Sequence, residues 1–136
     1  MSIVPTLLCV EDDPGVREFY ERLFGAHGYE VILAESVSEA LECFTGHSVE
    51  AVITDYTLPG GDGATLAKRL KELNPQVPVL MISGSYPSDY EPPEGVDVVL
   101  AKGVSNREML QRLDRLILTR ASESTREYQP ADSVAP

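Results

Sequence analysis

Five short apolar runs recur along the chain, and four of them are followed by stretches whose apolar residues fall at helical spacing. The runs are Thr6–Val10, Glu30–Ala34, Ala51–Asp55, Val77–Ser83 and Val96–Ala101. Each has the length of a strand and almost no polar interruption, the pattern of strands buried on both faces. After the first run, Asp13 and Pro14 open a helix, with Asp as cap and Pro in its first turn. Its inward face is Val16, Phe19, Tyr20, Leu23 and Phe24, and Gly25 and Gly28 close it. Ser36 and Glu39 have the spacing of a capping box. They start a second helix with Val37, Ala40, Leu41 and Phe44 inward and Gly46 at its end. A turn over residues 58–63 leads to a third helix with Leu66, Ala67, Leu70 and Leu73 inward, stopped by Asn74-Pro75. Ser105 and Glu108 form another capping box and start the last helix, whose buried face is Met109, Leu110, Leu113, Leu116 and Ile117.

Alternating strands and helices with near-continuous apolar strands predict an α/β fold, a parallel sheet covered by helices on both faces. One crossover breaks the rhythm. Between Ser83 and Val96 stand Gly84, Pro87, Pro92, Pro93 and Gly95. An interior proline costs a helix about 3 kcal/mol, so this fourth connection is expected to be an irregular loop or a single turn. From about Ala121 the sequence turns polar and loses its period, which divides the chain into a folded unit over 1–120 and a mobile polar tail over 121–136.

The strands end on chemistry. The first runs into Glu11 and Asp12, the third into Asp55, the fourth into Ser83, and the fifth is followed by Lys102. In open α/β sheets, ligands bind outside the carboxyl ends of the strands, so these groups are expected at one site. Two carboxylates about 4 Å apart repel by roughly 4 kcal/mol at an effective dielectric of 20, and three together call for a cation. Carboxylate oxygens without histidine or cysteine suit Mg²⁺ or Mn²⁺, not zinc. Mg²⁺ keeps few protein ligands and completes its shell with water and phosphate, and Lys102 and the Ser83 hydroxyl are suited to hold phosphoryl oxygens. Since a carboxylate can be the nucleophile in phosphoryl transfer, the residues point to metal-assisted phosphorylation of Asp55. Asp13 needs no such role, because an acid at a helix N-terminus is favoured by the dipole.

Composition narrows the partners. The net charge is −11 and no Lys/Arg-rich patch occurs, which argues against direct nucleic-acid binding. No apolar run approaches the ~20 residues of a membrane span, and the first residues lack the basic start of a signal peptide. A cytoplasmic protein is expected. Cys9 and Cys43 read as free, core-facing thiols, and His27 and His47 as loop or helix-end residues.

Val10-Glu11-Asp12 followed by Arg17, Asp55 with Leu58-Pro59 and Asp62-Gly63, Ile82-Ser83-Gly84, and Lys102 stand in an order and spacing that resemble the receiver domain of bacterial two-component response regulators. The resemblance spans about Pro5 to Arg120. It implies a flavodoxin-like, doubly wound five-stranded sheet in the order 2-1-3-4-5. It implies that Asp55 accepts a phosphoryl group from the phosphohistidine of a partner histidine kinase or phosphotransfer protein. Asp12 and Asp55 would bind Mg²⁺ directly, Thr57 through its main-chain carbonyl, and Glu11 mainly through water. Ser83 would hydrogen-bond the phosphoryl group, Lys102 would pair with it, and small Gly84 would admit the donor. Thr57 and Ser85 occupy positions that tune phosphoryl lifetime in the family.

Three departures stand out. The switch position, usually Tyr or Phe, is Val99; the usual Lys-Pro is Lys102-Gly103; and the fourth helix gives way to the Pro-rich segment, where Tyr86 or Tyr90 are candidate stand-ins for the aromatic. The leading expectation is a receiver without a fused output domain, which signals by altered binding to a partner or serves as a shuttle in a phosphorelay. The alternatives are a receiver-like scaffold that does not switch and a metal-dependent phosphohydrolase. Haloacid-dehalogenase-type phosphatases place a second Asp two residues after the nucleophile, where this chain has Thr57. A flavin site is disfavoured, because Glu11-Asp12-Asp13 would repel the cofactor phosphate.

Overall fold

Strand and helix alternate in the computed structural model, which describes residues 4–84 and 91–128, with side chains of the last helix through Thr119. In chain order the elements are β1 (Thr6–Val10), α1 (Pro14–Ala26), β2 (Glu30–Ala34), α2 (Val37–Gly46), β3 (Ala51–Thr54), β4 (Thr57–Leu58), β5 (Gly61–Asp62), α3 (Gly63–Leu73), β6 (Val79–Ser83), β7 (Val98–Ala101) and α4 (Asn106–Tyr128). The main sheet is parallel throughout, in the order β2-β1-β3-β6-β7. With the two-residue antiparallel ribbon β4-β5 set aside, this is the expected order 2-1-3-4-5. The order reverses at β1, between β2 and β3, so the crevice lies at the carboxyl ends of β1 and β3.

Period-two alternation splits the core in two. Leu7, Cys9, Ile53, Leu80, Ile82 and Leu100 face α1 and α4, where Tyr20, Phe24, Met109 and Leu113 cover them. Leu8, Val10, Val52, Val79, Met81 and Val99 face α2 and α3, where Ala40, Phe44, Leu66 and Leu70 cover them. Cys9 is fully buried, and burial pushes its thiol well above the usual range. Cys43 is half-buried against the α2/α3 side, and both cysteines are free.

The caps follow the sequence signals. Asp13 accepts from the N–H groups of Gly15 and Val16, Ser36 from Glu39, and Ser105 from Glu108. The Glu39 carboxylate reaches back to the N–H of Glu35, one residue before the cap, at 2.8 Å. His27 and His47 are the C-caps of α1 and α2. No helix among the described residues is long and apolar enough to cross a membrane.

Several boundaries and faces differ from the pattern. Leu73 is 55% exposed and Phe19 43% exposed, although both sit at helical spacing with the inward residues. Leu73 is the last residue of α3, and the buried residues of α1 are Tyr20 and Phe24. β6 begins at Val79, two residues late, because Pro78 has no N–H to give to a ladder. The last helix does not stop where its apolar period stops. It runs to Tyr128, since no Gly or Pro interrupts residues 106–129 and Pro130 is the first breaker. In the fourth crossover, residues 91–97 hold a turn and no helix. Ser85, Tyr86, Pro87 and Tyr90 lie outside the described residues, as do residues 129–136.

Leu113 is fully buried and carries α4 onto the sheet, whereas Leu118, five residues on and on another face of the helix, is 67% exposed. Leu113→Ala is expected to cost about 2–5 kcal/mol in urea unfolding, and Leu118→Ala to stay within roughly 0.5 kcal/mol of wild type.

Candidate functional site

The site begins with two neighbouring strand ends. β1 and β3 pair in register with Val10 opposite Thr54, so the residues that follow each strand emerge side by side. The Asp55 N–H continues the ladder to the Val10 carbonyl at 3.2 Å. Glu11, Asp12 and Asp55 thereby come together, one carboxylate oxygen from each lying within 4.8 Å of the others. Glu11 is buried, Asp55 half-buried and Asp12 exposed, so the cluster opens outward from a dry base.

Each acid is fixed by a different device. Glu11 donates its N–H to the Ala34 carbonyl of β2, and its carboxylate accepts the N–H of Asp13 at 3.1 Å. Arg17, one turn into α1, donates to the Glu11 carbonyl at 2.8 Å and reaches Glu35 at 3.9 Å. Asp55 accepts the N–H of Tyr56 on Oδ1 at 2.7 Å, which leaves Oδ2 facing Lys102 at 3.2 Å. The Lys102 ammonium also stands 4.0 Å from Glu11. β7 carries that lysine to the site, and the Lys102 N–H donates to the Ser83 carbonyl at 3.0 Å.

Electrostatics follow from this geometry. Burial pushes the Glu11 carboxyl above its usual value; the Asp13 N–H opposes the shift, the Asp55 charge adds to it and Lys102 opposes it. For Lys102, burial alone favours the neutral amine. The hydrogen bond and charge of Asp55, joined by Glu11 and Asp12, outweigh it and hold the ammonium above its ordinary range. Tyr20, buried behind the acids, has its hydroxyl pushed up by burial first and then by the charge of Glu11.

Ser83 ends β6 fully buried. Gly84 follows it, and a methyl group there would come within 3.8 Å of the Lys102 side chain. Thr57 opens the ribbon with its side chain exposed, and Val99 is buried on the α2/α3 side of the sheet. Gly63 is a residue whose part the pattern of apolar positions does not reveal. It starts α3, and a Cβ on it would stand 2.1 Å from the Asp55 carbonyl oxygen. Its N–H donates to the Tyr56 carbonyl at 2.6 Å. Only glycine lets the loop after Asp55 close this tightly. Arg17 was visible as part of a motif; its grip on the Glu11 carbonyl was not, because it depends on the approach of α1.

Three hard carboxylate oxygens, with no nitrogen or sulfur donor among them, fit Mg²⁺ or Mn²⁺ and not a soft metal. The adjacent ammonium fits an anion that bridges to such an ion.

A doubly wound parallel sheet with its polar groups gathered at the carboxyl edge is the class that fold and site define. The chain belongs to the response regulator receiver domain family, whose sequence model matches residues 7–114. It is 30% identical to the phosphate regulon transcriptional regulatory protein PhoB of Pseudomonas aeruginosa, over 96% of this chain and 56% of that protein. It is 37% identical to the transcriptional regulatory protein AruR of the same organism, over 62% of this chain and 36% of that protein. The chain thus spans little more than half the length of these curated relatives, or less. Among solved structures, a putative response regulator from Chloroflexus aurantiacus shares 33% identity at a TM-score of 0.78, covering 85% of this chain and 99% of that one. A CheY-like receiver domain from Methanospirillum hungatei, at 22% identity and a TM-score of 0.80, shares the fold.

Two outcomes test the local argument. Gly63→Ala is expected to destabilise the fold by more than the gain of about 1 kcal/mol that alanine brings to an ordinary helical position. Amide NMR shifts should move at Asp55 and Tyr56 in that variant. The second concerns pH. A carboxyl whose folded pKa lies above its unfolded value contributes stability at low pH and loses it as pH rises through the folded pKa. In metal-free protein, Glu11→Gln should therefore match wild type in melting temperature near pH 4 and exceed it increasingly toward pH 7.

Proposed function

We propose that the chain is a phosphoacceptor receiver in a two-component phosphorelay. Asp55 takes the phosphoryl group from a phosphohistidine on a partner histidine kinase or phosphotransfer protein. The observation that carries this reading is the meeting of Glu11, Asp12 and Asp55 within 4.8 Å with the Lys102 ammonium 3.2 Å from the acceptor carboxylate.

The residues divide the work. The Tyr56 N–H holds Oδ1 of Asp55 and so presents Oδ2 to the donor. An Asp55 oxygen forms the new O–P bond as the histidine N–P bond breaks, and the imidazole leaves with the electron pair. Lys102, beside that oxygen, then pairs with a phosphoryl oxygen, and the Ser83 hydroxyl hydrogen-bonds another. Gly84 keeps the approach open. Asp12 and Asp55, with the Thr57 main-chain carbonyl and Glu11 through water, would hold Mg²⁺ or Mn²⁺. That ion supplies charge neutralisation for phosphoryl oxygens brought among carboxylates. The chain catalyses no turnover of an outside substrate; it promotes only its own phosphorylation and dephosphorylation.

Output passes to a downstream protein through altered binding, with residues 1–120 as the signalling unit. The net charge of −11 favours protein partners over direct nucleic-acid contact, and a cytoplasmic location suits this role. A second reading has an observation of its own. Val99 fills the switch position with a buried aliphatic side chain, which fits a receiver-like scaffold that binds its partner without switching.

Intact mass after incubation with acetyl phosphate separates the readings. The expected result is a gain of one phosphoryl group that requires Mg²⁺ and is absent in Asp55→Asn. Lys102→Ala should slow the gain by about 10²-fold, the usual effect of removing one group aimed at developing charge. No gain under any condition would support the scaffold.

A further inference from the structure

The lysine at the site is held through its main chain as well as its charge. The Lys102 side chain is 44% exposed, and its ammonium lies 3.2 Å from Asp55 and 4.0 Å from Glu11. Its main chain is held at both ends. The Lys102 N–H is tied to the Ser83 carbonyl at 3.0 Å, and the Val104 N–H closes a four-residue turn on the Ala101 carbonyl at 3.1 Å. Val104 in turn packs against the α1/α4 core, and Ser105 caps α4. Gly103 sits third in this turn with φ +97°, the left-handed conformation that a type II turn demands at that place. A Cβ at Gly103 would meet nothing within 4 Å. Space does not call for glycine here; backbone conformation does.

We propose that Gly103 is a positioning residue for Lys102, its left-handed conformation closing the turn that sets the ammonium against Asp55. The proposal rests on reading Asp55 as the phosphoacceptor and Lys102 as its phosphoryl partner. Both flanks of the turn are anchored, to the sheet and to the core. A residue that refuses positive φ must therefore relax at the Lys102–Gly103 peptide, and the displacement falls on the lysine. Where the receiver resemblance implies Lys-Pro, this chain has Lys102-Gly103.

The test measures the rate of phosphorylation from acetyl phosphate with saturating Mg²⁺, by intact mass, with Asp55→Asn as the blank. Gly103→Val, whose branched side chain resists positive φ, should slow labelling roughly tenfold, the effect of little more than one kcal/mol on the barrier. Gly103→Asn, which tolerates positive φ, should restore most of the rate. In a Lys102→Ala background, Gly103→Val should cause no further loss, because the lysine it aims is gone. A full additional loss in that background, or an unchanged rate for Gly103→Val on the wild-type chain, would overturn the proposal. If Gly103→Val lacks a cooperative melt, Gly103→Ala takes its place in the same comparison. Failure of the wild type itself to label, or labelling that survives Asp55→Asn, would instead overturn the phosphoacceptor reading.

Discussion

Glu11 and Asp55 crowd the carboxyl edge of the sheet with a single ammonium in reach among the described residues. The rest of the architecture can be understood as what keeps those charges where they repel. Left in water, the carboxylates would move apart at almost no cost. Here they cannot, because the parallel pairing of β1 with β3 fixes the origin of both chains, and the two flanking segments are tied down immediately beyond. Asp13, which caps α1, and Arg17 within it hold the Glu11 side, while Tyr56 and the α3 start hold the Asp55 side. The stabilising burial lies deeper, in Leu7 to Val10 and Ala51 to Thr54, and the strain of like charge is concentrated at the rim. A site so built is ready for positive charge before any arrives.

Much of this was legible in the chain. Strand ends are easy to place, because an apolar run stops where a polar residue begins, and a parallel sheet then brings those ends together. That is why Glu11, Asp12, Asp55, Ser83 and Lys102 could be assigned to one edge. Gly63 and Gly103 were harder. Each acts through a backbone relation, a close approach to the Asp55 carbonyl in one case and a positive φ in the other, and a glycine in a sequence does not announce which freedom it uses. Leu73 and Phe19 misled for a different reason. Helical spacing tells which residues share a stripe, but not how far the sheet beneath extends. The last helix shows the converse: its length is set by the absence of a breaker, and its apolar period only records where it touches the core.

The chain departs from the sequence pattern of the receiver family at three places. Val99 is short, branched and enclosed, with none of the swing of a long aromatic ring. The described part of the fourth crossover, residues 91–97, has no helix. The lysine is followed by a residue of maximal freedom in place of the most restricted one. These three differences lie together on β7 and the segments that flank it, while the acidic cluster of Glu11, Asp12 and Asp55 lies at the ends of β1 and β3.

The division of the core by the sheet has a consequence for how the protein tolerates change. Successive residues of one strand, such as Leu80 and Met81, belong to different packing clusters on opposite faces of the sheet. Substitutions on opposite sides and on different, well-separated strands should then combine nearly additively, since distant sites that share no partner add in free energy. The side that holds Val99 can drift in sequence to suit one interaction, and the side that holds Phe24 and Leu113 to suit another, with the acidic edge as the ground common to both.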